Sequence, residues 1–223
     1  MIPWEHLDTA TVPGDGVELR LMRRGAEYSI MAGAIELMNS RLSGSEEALA
    51  TLAFDRIGQR PCARVLIGGL GMGFTLRAAL AAFGKDAEIL VAELVPAVVA
   101  WARGPLGGLY GDSLSDPRVQ IQDGDVGALI RAGEARYDAI LLDVDNGPGG
   151  LSRKGNDSLY DTGGLAAARR ALRPGGVLEV WSSTRDSAFT KRLQRAGYAV
   201  EEVGVRAHKG RGARHVIWVA TAP

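Results

Sequence analysis

Two hydrophobic rhythms divide the chain. Residues 17–23 and 27–38 alternate apolar and polar positions and read as short strands, with a polar turn at Arg23-Arg24-Gly25-Ala26-Glu27 and a second turn at Gly33. Residues 44–57 change to a helical period. Ser43 or Ser45 is placed to cap them, and Ala48, Leu49, Leu52, Ala53 and Ile57 share one face. After Pro61, β-branched runs near 63–68, 87–92, 118–122, 137–143 and 176–182 alternate with helical runs near 73–84, 95–103, 126–133, 158–172 and 187–196. The chain ends on two strand-like runs, 198–205 and 214–221, joined by a glycine-rich basic loop. Alternating β and α units place parallel strands in one sheet with helices on both faces. The expectation is an α/β, doubly wound, mostly parallel seven-stranded sheet with a C-terminal antiparallel hairpin and a small N-terminal β extension. The division expected is 1–42 for that extension and 43–223 for the ligand-binding domain.

In doubly wound sheets, ligands bind beyond the carboxyl ends of the strands. The first strand after Pro61 runs into Gly68-Gly69-Leu70-Gly71-Met72-Gly73, where bare backbone and a helix start admit a ligand closely. The second ends at Glu93-Leu94, with Glu93 placed to accept bonds from two ribose hydroxyls. The third ends in Asp123-Gly124-Asp125 and the fourth in Asp143-Val144-Asp145-Asn146-Gly147-Pro148. Each has a plainer reading: a tight turn, a solvated acid, a helix cap at Asp123 or Asp125, a turn before Gly147-Pro148. Their succession at four consecutive strand ends favours a nucleoside site. A dinucleotide fingerprint needs G-x-G-x-x-G, and Phe74 occupies the place of its third glycine; a P-loop is excluded because no Gly-Lys-Ser/Thr follows.

Composition narrows the partners. Twenty-six basic residues balance twenty-six acidic ones among 223, so no net field draws the chain to nucleic acid or a membrane surface. No apolar run has membrane-spanning length, and no signal-peptide pattern opens the chain. The single cysteine, Cys62, fits a reducing, cytoplasmic setting and reads as a half-buried inert thiol. One cysteine and three scattered histidines give no zinc pattern, so no metal is expected. The segment from His208 to His215 reads as a solvated hairpin tip.

On these motifs the sequence resembles the class I S-adenosylmethionine-dependent methyltransferases, specifically their spermidine-synthase-like branch, over about residues 28–220. The strongest segments are Val65 to Arg77, Val91 to Ala102, Asp116 to Val126, Tyr137 to Pro148 and Leu172 to Val180. The resemblance implies a Rossmann-like methyltransferase fold and S-adenosyl-L-methionine as cofactor. It implies that Gly69, Leu70, Gly71, Met72 and Gly73 pass against the methionine part and that Glu93 and Leu94 meet the ribose. It places Asp123, Gly124 and Asp125 at the adenine. Asp143 is implied as the acid facing both cofactor and substrate amine, with Asp145 beside it as a second catalytic candidate. Glu36, Glu47, Asn146 and Tyr160 are the substrate-binding candidates on this resemblance, and Trp181, at the end of the fifth strand run, is placed to border the substrate cleft.

The departures decide the expected reaction. The branch reads Gly-Gly-Gly-Asp-Gly-Gly in the first loop, and the aspartate helps hold the amine of a decarboxylated cofactor. Here Leu70 and Met72 leave the loop without an acid. The upstream Asp-Gly-x-x-Gln and Tyr-His-Glu have become Ala32-Gly33-Ala34-Ile35-Glu36 and Ser45-Glu46-Glu47. An acid in the loop would repel the carboxylate of intact S-adenosyl-L-methionine, so its loss favours methyl transfer. The expected activity is a methyltransferase acting on a small amine-bearing molecule. Aminopropyl transfer is the runner-up, and a non-catalytic nucleoside-binding scaffold comes third. A homodimer is expected from the open edges of the N-terminal strands.

Overall fold

The structure, a computed structural model, describes residues 2–14, 16–144, 147–148, 157–208 and 211–223. Asp145 and Asn146 therefore lie outside the described residues.

Four strands open the chain: β1 (Glu5–Thr11), β2 (Glu18–Arg24), β3 (Glu27–Ala32) and β4 (Ile35–Asn39). They form an antiparallel sheet in the order β1-β2-β3-β4. The turns at Gly25 and Gly33 have φ of +61° and +57°, which glycine adopts without strain. The strand β1 was not expected. Its sequence, EHLDTAT, exposes five of its seven residues, so no apolar face announced it. The inner face of this sheet, Leu19, Leu21 and Ile30, joins the main core.

Helix α1 (Gly44–Ile57) follows, and then the alternating part: β5 (Arg64–Gly68), α2 (Phe74–Ala82), β6 (Glu88–Glu93), α3 (Pro96–Arg103), α4 (Gly107–Tyr110), β7 (Val119–Asp123), α5 (Val126–Ala132), β8 (Tyr137–Leu142), α6 (Asp157–Tyr160), α7 (Thr162–Ala171), β9 (Leu172–Ser182), α8 (Ser187–Arg195), β10 (Ala199–His208) and β11 (Arg211–Thr221). A short 3₁₀ turn spans Ser113–Ser115. The seven-stranded sheet has the order β10-β11-β9-β8-β5-β6-β7, with β5 to β9 parallel and β10 and β11 antiparallel.

Strand alternation sorts the core into two layers. Val65, Ile67, Leu141 and Val177 point to one side, with Leu49 and Ala53 of α1, Leu76 and Ala79 of α2 and Val98 of α3. Leu66, Ile140, Leu142, Leu178 and Val180 point to the other, with Ile130 of α5, Leu165 of α7 and Phe189 of α8. The middle strand β8 is buried at all six residues, as a strand covered on both faces must be.

Three expectations change. The helix expected over 158–172 is two, because Asp161 caps a new start at α7 by accepting from the Gly164 N–H. Strand β9 begins four residues earlier than expected, with Leu172 paired to Tyr137 before an irregularity in register. Cys62 is exposed rather than half-buried, at φ +50°, and its N–H donates to Asp86 at 2.7 Å.

Candidate functional site

The strand order reverses between β5 and β8, and their carboxyl ends meet there. Asp143 donates its N–H to Gly68 O at 3.1 Å. Gly69, at φ +90°, lies so close that a Cβ would stand 2.5 Å from the Asp143 carbonyl oxygen. The glycine loop is thus fixed partly by the strand end it faces. Farther along, a Cβ at Gly73 would sit 2.3 Å from the Tyr110 ring, and Tyr110 donates its hydroxyl to Gly71 O at 2.7 Å. A Cβ at Gly71 would lie 3.0 Å from Met38 Sδ, which brings β4 of the N-terminal sheet over the loop.

Glu93 is buried and braces the loop. Its Oε2 accepts from Leu70 N at 2.8 Å and its Oε1 from Val95 N at 2.9 Å. Burial pushes this carboxyl up, and the loop N–H groups oppose the shift. Both oxygens of the carboxyl are thus engaged by backbone N–H groups of the two loops. Leu94 is half-buried beside it. At the next strand end, Asp123 is exposed and Gly124 bends at φ +142°. Asp125 caps α5, accepting from Gly127 N at 2.8 Å, and pairs with Arg131 at 3.0 Å. Its plainer reading as a cap is therefore realised, and an adenine amine would have to share that carboxylate.

Beside the loop lies a cleft of about 110 Å³. Leu70, Met72, Phe74, Val144 and Trp181 form its apolar wall, and Asp143 and Glu46 supply the charge. Burial pushes the Asp143 carboxyl up to about 7; Glu46 adds repulsion, and a bond from Thr75 works against both. That bond runs from Thr75 Oγ1 to Asp143 Oδ2 at 3.0 Å. Glu46 is also raised, mainly by burial, and accepts from Ser45 Oγ at 2.7 Å. The Trp181 Nε1 is buried and has no hydrogen-bond partner among the described residues. No lysine or arginine lines the cleft among the described residues.

The sequence expectations divide accordingly. Leu70, Gly71, Met72, Asp143 and Trp181 are brought together. Glu36 is not: it accepts from Ser29 Oγ at 2.7 Å and Asn39 Nδ2 at 3.0 Å, pairs with Arg41, and lines a separate hollow on the N-terminal sheet. Glu47 does not line the cleft; its neighbour Glu46 does, because the first turn of α1 turns that side chain inward. Tyr160 is core, its ring edge-on to Phe189 with centroids 5.8 Å apart. His215 was placed in a solvated tip, yet it lies on β11 with its Nδ1 2.9 Å from Ser45 Oγ. Glu46, Thr75 and His215 were missed. For Glu46 a signal existed, since it stands in the segment aligned with Tyr-His-Glu.

The parallel sheet with its switch point and its antiparallel end strands is a doubly wound, Rossmann-like fold. No family model matches the chain. Among solved structures, spermidine synthase from Thermotoga maritima superposes with a TM-score of 0.74 at 17% identity, over 98% of this chain and 72% of that one. Among curated sequences, polyamine aminopropyltransferase 1 of Streptomyces coelicolor is 34% identical over 151 residues, 64% of this chain and 27% of the relative. Putrescine N-methyltransferase 2 of Nicotiana attenuata is 35% identical over 116 residues, 52% of this chain and 29% of the relative. The chain thus shares the fold of spermidine synthase. It spans about a quarter of the length of the curated relatives it matches, and those relatives are transferases.

Proposed function

We propose that this chain is the cofactor-binding unit of a transferase that moves an alkyl group from an S-adenosyl sulfonium to a small primary amine, with methyl transfer as the first reading. The carrying observation is Asp143: it ends β8 at the switch point, beside the glycine loop, and shares its cleft with Glu46. Two carboxylates and an apolar wall fit a ligand that is cationic and partly aliphatic. Glu93, the loop backbone and Asp125 would hold the nucleoside part.

A bound sulfonium supplies a carbon whose bond to sulfur breaks as the amine lone pair forms the new C–N bond. The protein must then position the amine and take its proton. Asp143, held near 7, is poised to accept a proton at neutral pH, and Thr75 fixes which oxygen faces away. Leu70, Met72, Phe74 and Trp181 limit water around the reacting atoms. Leu70 and Met72 also spare a methionine carboxylate the repulsion of a loop acid.

A specific observation favours aminopropyl transfer as the second reading. Glu46 and Asp143 suit the free amine of a decarboxylated cofactor, and among the described residues no cation in the cleft answers a methionine carboxylate. The similar proteins include both kinds of enzyme. Incubation with putrescine and either cofactor, read by mass spectrometry, separates the two. A product heavier by one methyl supports the first reading, one heavier by an aminopropyl unit the second. Binding of either cofactor without any product leaves only a nucleoside-binding scaffold.

A further inference from the structure

The Glu46 carboxylate is tied to the C-terminal hairpin by an unbroken line of hydrogen-bonding atoms. Glu46 Oε2 lies 2.7 Å from Ser45 Oγ, and Ser45 Oγ lies 2.9 Å from His215 Nδ1. Ser45 is fully buried, while His215 is half-buried at the outer end. The Trp181 ring packs edge-on against the imidazole, with centroids 4.8 Å apart, and Trp181 is itself a wall of the cleft. The ring faces Ser45 of α1 and Trp181 of β9 and pairs across the hairpin with Val205; among the described residues it forms no ion pair. Burial holds its pKa below the usual histidine value, which keeps it neutral and able to accept a proton near neutral pH.

A serine hydroxyl between a carboxyl and an imidazole conducts a proton in either direction, because it donates and accepts at once. A cleft with apolar walls gains from such a route, since each amine alkylated releases one proton. We propose that Ser45 and His215 form the proton outlet of the cleft. A proton taken by the Asp143–Glu46 pair leaves Glu46 for Ser45 Oγ as the Ser45 proton passes to His215 Nδ1. The imidazolium then releases its Nε2 proton to solvent, and all three groups return to their starting charge. Ser45 and His215 are positioning residues here, acting through Glu46. The assignment rests on the amine-alkylating reading of the cleft.

The test has one arm without turnover and one with it. Imidazole signals are followed by NMR against pH, a tractable assignment with only three histidines in the chain. Replacing Glu46 by Gln removes the negative charge at the far end and should shift the His215 titration to lower pH, whereas Glu47→Gln should leave it in place. In a Ser45→Ala background the Glu46→Gln shift should shrink. With putrescine and the productive cofactor, His215→Gln keeps a polar side chain in the ring's place but cannot take up and release a proton near neutral pH. It should lower kcat by about tenfold with little change in KM, and added imidazole should restore His215→Ala. A transferase whose His215 titrates independently of Glu46, or whose kcat ignores His215, overturns the outlet. Coupled titration in a protein that alkylates no amine overturns the transferase reading and with it the purpose of the relay.

Discussion

Glu179 is a carboxyl at the centre of the sheet with nothing to bind. It is fully buried on β9, opposite Leu141 on β8 and Val219 on β11, both of which are buried in the layer under α1. Neither carboxylate oxygen has a partner among the described residues. Burial raises its pKa well above the ordinary 4.5, a shift that Arg56 partly offsets. The folded protein therefore favours the protonated form. Below about 4.5 both states hold the proton and the group costs no ionisation energy. As pH rises past that value the unfolded chain releases the proton first, and stability falls by about 1.4 kcal/mol per pH unit until the folded carboxyl also ionises. The protonated group still leaves buried polar atoms unmatched, which costs about 1–3 kcal/mol.

Two substitutions separate these effects. Glu179→Met has nearly the same length, so repacking costs less than about 1.5 kcal/mol, and it removes both penalties. It should stabilise the protein by about 2 kcal/mol at neutral pH, or about 4–8 °C in Tm for a chain of this size. Glu179→Gln removes the titration but keeps the unmatched polar atoms, so it should flatten the pH dependence and gain less. Urea melts at several pH values measure both. A Met variant no more stable than the parent, with the parent's pH slope intact, would show that the carboxyl is neither unpaired nor protonated in the fold.

Asp143→Asn should abolish most turnover. In the parent, activity should rise as pH passes about 7, because the base works only when ionised; that rise should vanish in the variant. Gly69→Ala should destabilise by at least about 2 kcal/mol in denaturant melts, since it combines φ +90° with a Cβ 2.5 Å from a carbonyl oxygen. Gly33→Ala, at φ +57° with open space around it, should lose only about 1 kcal/mol. Leu70→Asp restores an acid to the loop and should weaken binding of S-adenosyl-L-methionine more than that of its decarboxylated form; equal weakening by calorimetry would place the sulfonium elsewhere.

The alternating half of the fold was legible because its signal repeats. Five strand-like runs, the first four stopping at glycine or acid, leave few arrangements other than a doubly wound sheet. The loop, Asp143 and Trp181 were legible for the same reason, since strand ends in such a sheet converge. The acidic partner was not. Adjacent residues on a helix point about 100° apart, so the choice between Glu46 and Glu47 depends on how α1 rotates against α2 and β9, which no local pattern records. His215 was hidden by distance: its contact with Ser45 spans 170 residues and exists only because β11 pairs with β9. Glu36 misled because a residue matched by ungapped alignment was assigned a role, while Ser29, Asn39 and Arg41 occupy its carboxylate.

The missing loop acid does not leave the cleft neutral. Negative charge remains at the start of α1, in Glu46, and at the end of β8, in Asp143. Cofactor choice then depends on how many protons Glu46 and Asp143 hold. Burial raises both, with added repulsion from Glu46 on Asp143 and from Glu47 on Glu46, and Asp143 reaches about 7, so near neutrality the pair tends to keep a proton that two isolated carboxylates would shed. A methionine carboxylate is tolerated best while that proton is present; a free amine is held best once it has gone. The preference for intact over decarboxylated cofactor should therefore rise as pH falls through about 7 and weaken above it. Glu46→Gln should fix the preference toward the intact form across that range. Calorimetry with both cofactors on either side of about 7 measures the ratio. A ratio independent of pH in the parent and unmoved by Glu46→Gln would mean that neither carboxylate meets the tail of the cofactor, and that they serve the acceptor amine alone.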